Sequence, residues 1–351
     1  MTSRSTMMEI LELARWAPSG DNVQSWQFEV LGPLHVALHC RDTRRDVVYD
    51  LHGHPSQIAF GALIETIAIA ASVHGLRIEV AREGSEEAPV FQVRFIPDAD
   101  VAASPLIAAI TQRSVQRRPL SRRALDPLHK RDIERSVGPG YTVQWLEGPL
   151  RWQAAVLMYR NARLRLTMPE AFEVHRGIID WDRTHSPDKV PAQALGVDAM
   201  TIKAMRWAMH SWGRMRKMNM LTGTWGPRLQ MDLLPGIGCA AHYVIKAERA
   251  PRGIDDYVEA GRAVQRFWLT LTGQGLLMQP EMTPLIFTSY LREGIAFTSV
   301  PAIVDGARAL ERSLTDLIGS DHERAVYMGR LGYGAAPAAR SVRKELVDLL
   351  R

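Results

Sequence analysis

The chain has 351 residues, 46% of them hydrophobic and 23% charged, enough to bury a large core without disulfides or metals. Its two cysteines, Cys40 and Cys239, stand far apart without a CxxC partner. That excludes a disulfide scaffold and a cysteine-based zinc site, and it predicts a reducing, cytoplasmic compartment. The excess of 43 Lys+Arg over 38 Asp+Glu is mild and suits anionic small molecules as well as nucleic acid. The N-terminal stretch lacks the apolar core of a signal peptide. The longest apolar run, Ile58–Ala71, is interrupted by Glu65 and is short for a membrane span.

Apolar spacing predicts a helix over 5–16 that stops before Pro18. Strand-like runs follow at Trp26–Val30 and His35–Cys40, then a long helix from Pro55 to Gly75, with Gly75 as its C-terminal cap. Two more strands are expected at Arg77–Ala81 and Phe91–Phe95, a connector at Asp98–Pro105 and a helix at Pro105–Gln112. The second part repeats this order. It has a helix at Pro127–Ser136, a strand at Thr142–Leu146, helices around Arg151–Arg165, a strand at Cys239–Lys246 and a long helix at Asp255–Gly275. A strand near Arg324–Gly332 and a helix at Val342–Leu350 close the chain.

The two long helices are alike. FGALIETIAIAASVHGL (Phe60–Leu76) and AGRAVQRFWLTLTGQGL (Ala260–Leu276) place Gly61 with Gly261 and Gly75 with Gly275, and both end in Gly-Leu. With the repeated element order, this predicts two similar α+β halves facing each other across these helices. The expected boundaries are 1–104 for the first half, 105–167 and 236–351 for the second, and 168–235 for an insertion without counterpart. Within the insertion, Met200–Leu229 carries six Lys/Arg and no acid, with Trp207, Trp212 and Trp225. It reads as a core helix with a basic face, a lid or dimer face, or a membrane-surface helix.

At APSGDNVQSW (Ala17–Trp26) the sequence resembles the FMN-dependent nitroreductase-like superfamily, keeping Ala17, Pro18, Ser19, Asn22, Gln24 and Trp26. QRSVQRRPL (Gln112–Leu120) resembles the RRSxR-type segment that opens a nitroreductase domain. GRLGYGAAPAARSVRKEL (Gly329–Leu346) resembles its C-terminal strand, Gly-Tyr turn and terminal cations. The double length resembles the Acg-like branch, some of whose members are thought to hold flavin under a lid.

The resemblance implies FMN as cofactor and NAD(P)H as a transient reductant. Arg113, Ser114 and Arg117 would clamp the phosphate, joined by Arg340 and Arg343 at the start of the last helix, where Ser341 could serve as cap. Pro18, Ser19, Gly20 and Asn22 would line the flavin ring with Gln24 behind them, and Gln279, Pro280 and Glu281 would lie near its reactive nitrogen. One site would be complete, because only the first half has the loop and only the second has the arm. The expected fold is α+β and nitroreductase-like: duplicated halves with central antiparallel or mixed sheets, long core helices and an inserted helical lid.

The expected activity is ping-pong hydride transfer from NAD(P)H to flavin and on to a small organic acceptor such as a nitroaromatic, a quinone or a biosynthetic intermediate. The alternative is a flavin-sequestering or regulatory protein. No side chain presents itself as a general acid. His52 and His54, and His35 and His39, lack the companions of a metal site. No GxGxxG, GxxxxGK[ST] or GxSxG motif occurs. Partners are expected to be small molecules, without nucleic acid or stable membrane insertion, in a monomeric pseudo-dimer or a homodimer.

Overall fold

The computed structural model describes residues 4–351, so the first three residues of the expected first half lie outside the described residues. The first half runs α1 (Arg4–Ala14), β1 (Trp26–Gly32), β2 (His35–Cys40), α2 (His54–Ser72), β3 (Leu76–Gly84) and β4 (Pro89–Pro97). The second runs α3 (Pro127–Ser136) and β5 (Tyr141–Leu146), then α4 (Pro149–Thr167), α5 (Pro169–Ile178), α6 (Ala199–Ala208) and α7 (Trp212–Thr222). It continues with β6 (Ala241–Ala247), α8 (Ile254–Gly273), β7 (Leu277–Pro280), α9 (Thr283–Arg292), α10 (Pro301–Ile318) and β8 (Ala325–Gly332). The fold is α+β.

Both main sheets have four strands, fully antiparallel. In the first, the spatial order is β1-β2-β4-β3; in the second, read from its β5 edge, it is β5-β6-β8-β7. Each half is therefore strand–strand–helix–strand–strand with one and the same topology.

The halves meet where α2 crosses α8. A Cβ on Gly61 would overlap the carbonyl oxygen of Val258, and one on Gly261 would overlap that of Ile58. Ile58 stands to Gly61 as Val258 stands to Gly261, so the two contacts are mates. Only glycine lets the backbones approach this closely. Polar pairs flank the crossing: Glu65 accepts from Arg262 at 2.9 Å and meets Arg266 at 3.1 Å, and Gln265 donates to Thr66 at 2.9 Å. Gly75 and Gly275 end their helices alike, with φ of +64° and +73°. By length and composition α2 could cross a membrane, more than its broken apolar run suggested. Here it is buried between α1, the first sheet and α8.

The halves differ in their hairpins. Two residues join β1 to β2 and four join β3 to β4, whereas residues 147–240 and 281–324 replace those turns in the second half. The departure thus begins at α4, earlier than residue 168, and a second insertion carries α9 and α10, which the sequence reading did not place. These insertions cover a face that the first half leaves to water. Strand β4 alternates buried residues with partly or fully exposed ones, while all but the first residue of its counterpart β8 are buried, as is every residue of β6. Tyr243 and Ile245 pack toward α8, and Val244 packs among Leu157, Phe287 and Leu314 of α4, α9 and α10.

The chain then crosses between halves twice. After β4, Val115 bridges Met278 on β7; after β8, Leu350 bridges Phe28 on β1. Two expected helices are shorter than their patterns. Pro105–Gln112 is a run of three-residue turns that becomes helix only at Ala109–Gln112. Of Val342–Leu350 only Leu346–Leu349 is helical, because Arg340–Ser341 pair as a strand with His185–Ser186.

Gly61→Ala or Gly261→Ala is expected to cost about 3 kcal/mol or more by forcing the helices apart. Gly273→Ala, with open space around it, is expected to be neutral or stabilising. Chemical denaturation midpoints of the three variants check this.

Candidate functional site

The loop between α1 and β1 is bent through three non-glycine residues in left-handed conformation: Asp21, Asn22 and Gln24, with φ of 50°, 66° and 49°. Each such residue costs on the order of 1–3 kcal/mol and persists only where its surroundings hold it. Here they do. The Gln24 amide donates to Ser19 Oγ at 3.0 Å, and Gln24 Oε1 accepts from the Lys344 amide at 2.9 Å. Asn22 Nδ2 donates to the carbonyl of Val342 at 3.1 Å and to those of Ser186 and Lys189 at 3.4 Å. Gln24 Nε2 donates to Pro187 O at 2.8 Å. The stretch 186–189 of the insertion therefore sits directly on this loop. Pro18 and Ser19 are half-buried and Gly20 is exposed.

Beside the loop lie three arginines from both tails. Arg343 donates from Nε to Ala17 O at 2.9 Å and from Nη1 to Asn22 Oδ1 at 2.8 Å. Arg113 donates to Trp16 O at 2.9 Å, its guanidinium 4.4 Å from the Trp268 ring centre. Arg340 donates to the carbonyls of Thr111 at 3.0 Å and Arg113 at 3.3 Å. Among the described residues none of the three has a carboxylate partner. Burial, then repulsion by Arg340, pushes Arg113 down to about 9. Burial, then Arg113 and Arg340, holds Arg343 well below the usual guanidinium range, and burial lowers Arg340. A guanidinium keeps its proton at physiological pH, so such a cluster is relieved by an anion rather than by proton loss. Arg113 Nε, Arg340 Nε and Ser114 Oγ are buried without a partner within the protein, which leaves donors for one.

Two expectations about this end need correction. Arg340 and Arg343 do not open a helix, and Ser341 donates to Lys189 O at 2.8 Å instead of capping one. Arg117 turns away from the other three and donates to Ala194 O at 3.3 Å.

Arg117 belongs instead to a second group of charges under the insertion. Burial pushes the Asp21 carboxyl up against the opposing pull of Arg117 and Arg165. Asp232 pairs with Arg165 at 2.7 Å and is still pushed up to about 6 by burial. Tyr49 Oη lies 3.0 Å from His175 Nε2, and burial, then Arg165, lowers His175 to about 3. Next to them Glu281 joins Arg330 at 2.8 Å and His242 at 2.7 Å, all three almost fully buried. Arg330 also donates to Arg117 O at 2.8 Å. Gln279, half-buried, donates to Pro280 O at 2.8 Å and leaves its Oε1 buried without a partner.

Loop 17–24, arm 113–117, the end of β7 and the tail 340–344 thus meet in one place. The sequence reading missed Asp21, Tyr49, Arg165, His175, Asp232, His242 and Arg330. Only Asp21 and Arg330 lay inside the stretches that carried the resemblance; Arg165, His175 and Asp232 come from inserted helices, His242 from a central strand and Tyr49 from the loop between β2 and α2. His54 stacks on Tyr257 at 3.8 Å and on His52 at 4.7 Å. Among the described residues no group of three or more His, Cys, Asp or Glu is placed to hold a metal ion.

No protein-family model matches the chain. No curated protein matches it. Two solved structures resemble it weakly. A nitroreductase-like family protein from Bacillus cereus has 11% identity and a TM-score of 0.35, covering 72% of this chain and 98% of its own. The FMN-dependent nitroreductase NfnB from Mycobacterium smegmatis, solved in complex with NADPH, has 14% identity and a TM-score of 0.37, covering 69% of this chain and 95% of its own. Likeness at this level carries no argument about chemistry.

The buried charges make a pH prediction. Burial alone would lower His242, but the Glu281 carboxylate overrides it and raises the imidazole to about 10. A base whose pKa rises on folding stabilises fully below its unfolded value, near 6.5, and loses that contribution as pH climbs toward the folded value. Unfolding midpoints of the native chain are therefore expected to fall between those limits more steeply than those of His242→Gln. Parallel profiles would show that the imidazole is not held charged.

Proposed function

We propose that the chain is an FMN-dependent oxidoreductase of nitroreductase type, built as two fused halves with one flavin site between them. The observation that carries the reading is the Arg113–Arg340–Arg343 cluster, with Arg113 and Arg343 buried and Arg340 half-buried, without a carboxylate partner among the described residues and with unpartnered donors. It is a setting for a phosphate dianion. The shared sheet topology and the mated Gly61–Gly261 crossing support a duplication of one flavoprotein-like half into a pseudo-dimer.

The residues fit the phosphate end of FMN by the chemistry of their donors. Arg113, Ser114, Arg340 and Arg343 would hold the phosphate. Loop 18–22 and the Gln279–Glu281 turn would face the ring. FMN, when bound, accepts a hydride from NAD(P)H and passes electrons to a small organic acceptor such as a nitroaromatic, a quinone or a biosynthetic intermediate. The part played by the protein is positional and electrostatic. Arg343 fixes Asn22 and the Ala17 carbonyl, the two crossing tails set the arm beside the loop, and stretch 186–189 excludes water from above.

That covering stretch also favours a second reading, in which flavin is held with little turnover. Asn22 and Gln24 already spend their side-chain donors on the carbonyls of 186–189 and Val342, so admitting a second substrate requires this stretch to lift.

The test is a visible spectrum of the purified protein before and after anaerobic NADPH or NADH. The oxidoreductase reading expects a bound-flavin spectrum that bleaches and returns with an acceptor. Flavin that stays oxidised favours the holding protein. Arg113→Ala with Arg340→Ala is expected to yield colourless protein, and stoichiometric flavin in that variant would place the phosphate elsewhere.

A further inference from the structure

We propose that the α6–α7 hairpin and the turn after it form a docking surface for an anionic lipid bilayer. The inference stands apart from the flavin reading. From Ala199 to Met231 the chain carries Lys203, Arg206, Arg214, Arg216, Lys217 and Arg228 and no acid. Arg206 is paired with Asp182 at 3.0 Å, but Lys203, Arg214, Arg216 and Lys217 have no carboxylate partner among the described residues.

The same segment exposes large apolar side chains. Met200 is 80% exposed, Trp207 50%, Met220 78%, Leu221 80% and Trp225 63%. Helical spacing puts Met200, Lys203 and Trp207 on one side of α6, and Lys217, Met220 and Leu221 on one side of α7. Arg214, 5.4 Å over the Trp207 ring, joins the two faces. Beneath, Ala208, Met209 and Met215 pack on Phe172 of α5 with Trp212 beside them. The hairpin is thus anchored by its inner side and can present its outer side as it stands.

Charge decides the occupant. A second copy of the chain would bring like-charged faces together, which opposes association. Interleaved Trp, Met and Leu with Lys and Arg match the interface of a bilayer, where apolar side chains enter below the headgroups and cations meet lipid phosphates. The protein would lie on the surface, not span it.

The experiment is co-sedimentation of the full chain with vesicles of phosphatidylglycerol and phosphatidylcholine, and with phosphatidylcholine alone, at low and high salt. Expected are binding to the anionic vesicles only, a blue shift of tryptophan emission, and release by salt. Trp207→Ser with Leu221→Ser, and Arg216→Gln with Lys217→Gln, are expected to weaken partitioning tenfold or more. Both pairs are on the surface, and unchanged circular dichroism melts would confirm that they fold. The proposal is overturned by no binding to anionic vesicles or by equal binding to neutral ones. It is also overturned by full binding of both variants, or by a face that binds an RNA or DNA oligomer, or self-associates, while ignoring vesicles.

Discussion

The contact on which the architecture depends is the crossing of two helical backbones at Gly61 and Gly261. With no side chain between them, each helix presses a carbonyl of its first turns onto the glycine of the other. That closeness fixes the relative placement of the two sheets. It also sets the distance that the tails must span to reach Met278 and Phe28 on the opposite half. The exchange places loop 17–24, which belongs to one half, beside arm 113–117 and the Arg340–Arg343 tail. A helix crossing thus decides which charges become neighbours some distance away.

The second constraint is electrostatic. The first half buries its sheet on one face, as a small antiparallel unit can. The second half adds helices in place of both hairpins and buries the other face of its sheet. Buried strands with charged residues need partners within the protein, and His242, Lys246 and Arg330 find them in Glu281, Asp321 and again Glu281. Arg113, Arg340 and Arg343 find carbonyls, an amide and two tryptophan faces, but no carboxylate among the described residues. Two groups of buried charge so close together are therefore of different kinds. One is neutralised within the fold, and the other keeps buried donors without a partner among the described residues.

Much of this was legible in the sequence because local rules agreed with global ones. The Gly-Leu ends of both long helices, the strand order around them and the Pro-led helix at 127–136 each carry their own start or stop signal. The bent loop was marked by its residue types, since Asp and Asn tolerate left-handed backbone. The tail after Arg340 was misread because a helical apolar pattern there loses to pairing with the insertion at His185–Ser186, a partner far away in the chain. Helices α9 and α10 replace a hairpin turn, which nothing local announces. Arg117 looked equivalent to Arg113, and only the crossing of the arm over β7 separates them, turning one toward Trp16 and the other toward Asp21. The buried partners Arg165, His175 and Asp232 come from inserted helices, so no motif spacing could have joined them to the loop.

The measurement that bears most directly on the arginine cluster is calorimetric titration of flavin-free protein with FMN and, separately, with riboflavin, which lacks the phosphate. One equivalent of FMN is expected to bind, with riboflavin weaker by about a hundredfold or more, since charge-assisted hydrogen bonds to the phosphate are the ones lost. Equal affinity for the two flavins would contradict a phosphate clamp at Arg113, Arg340 and Arg343.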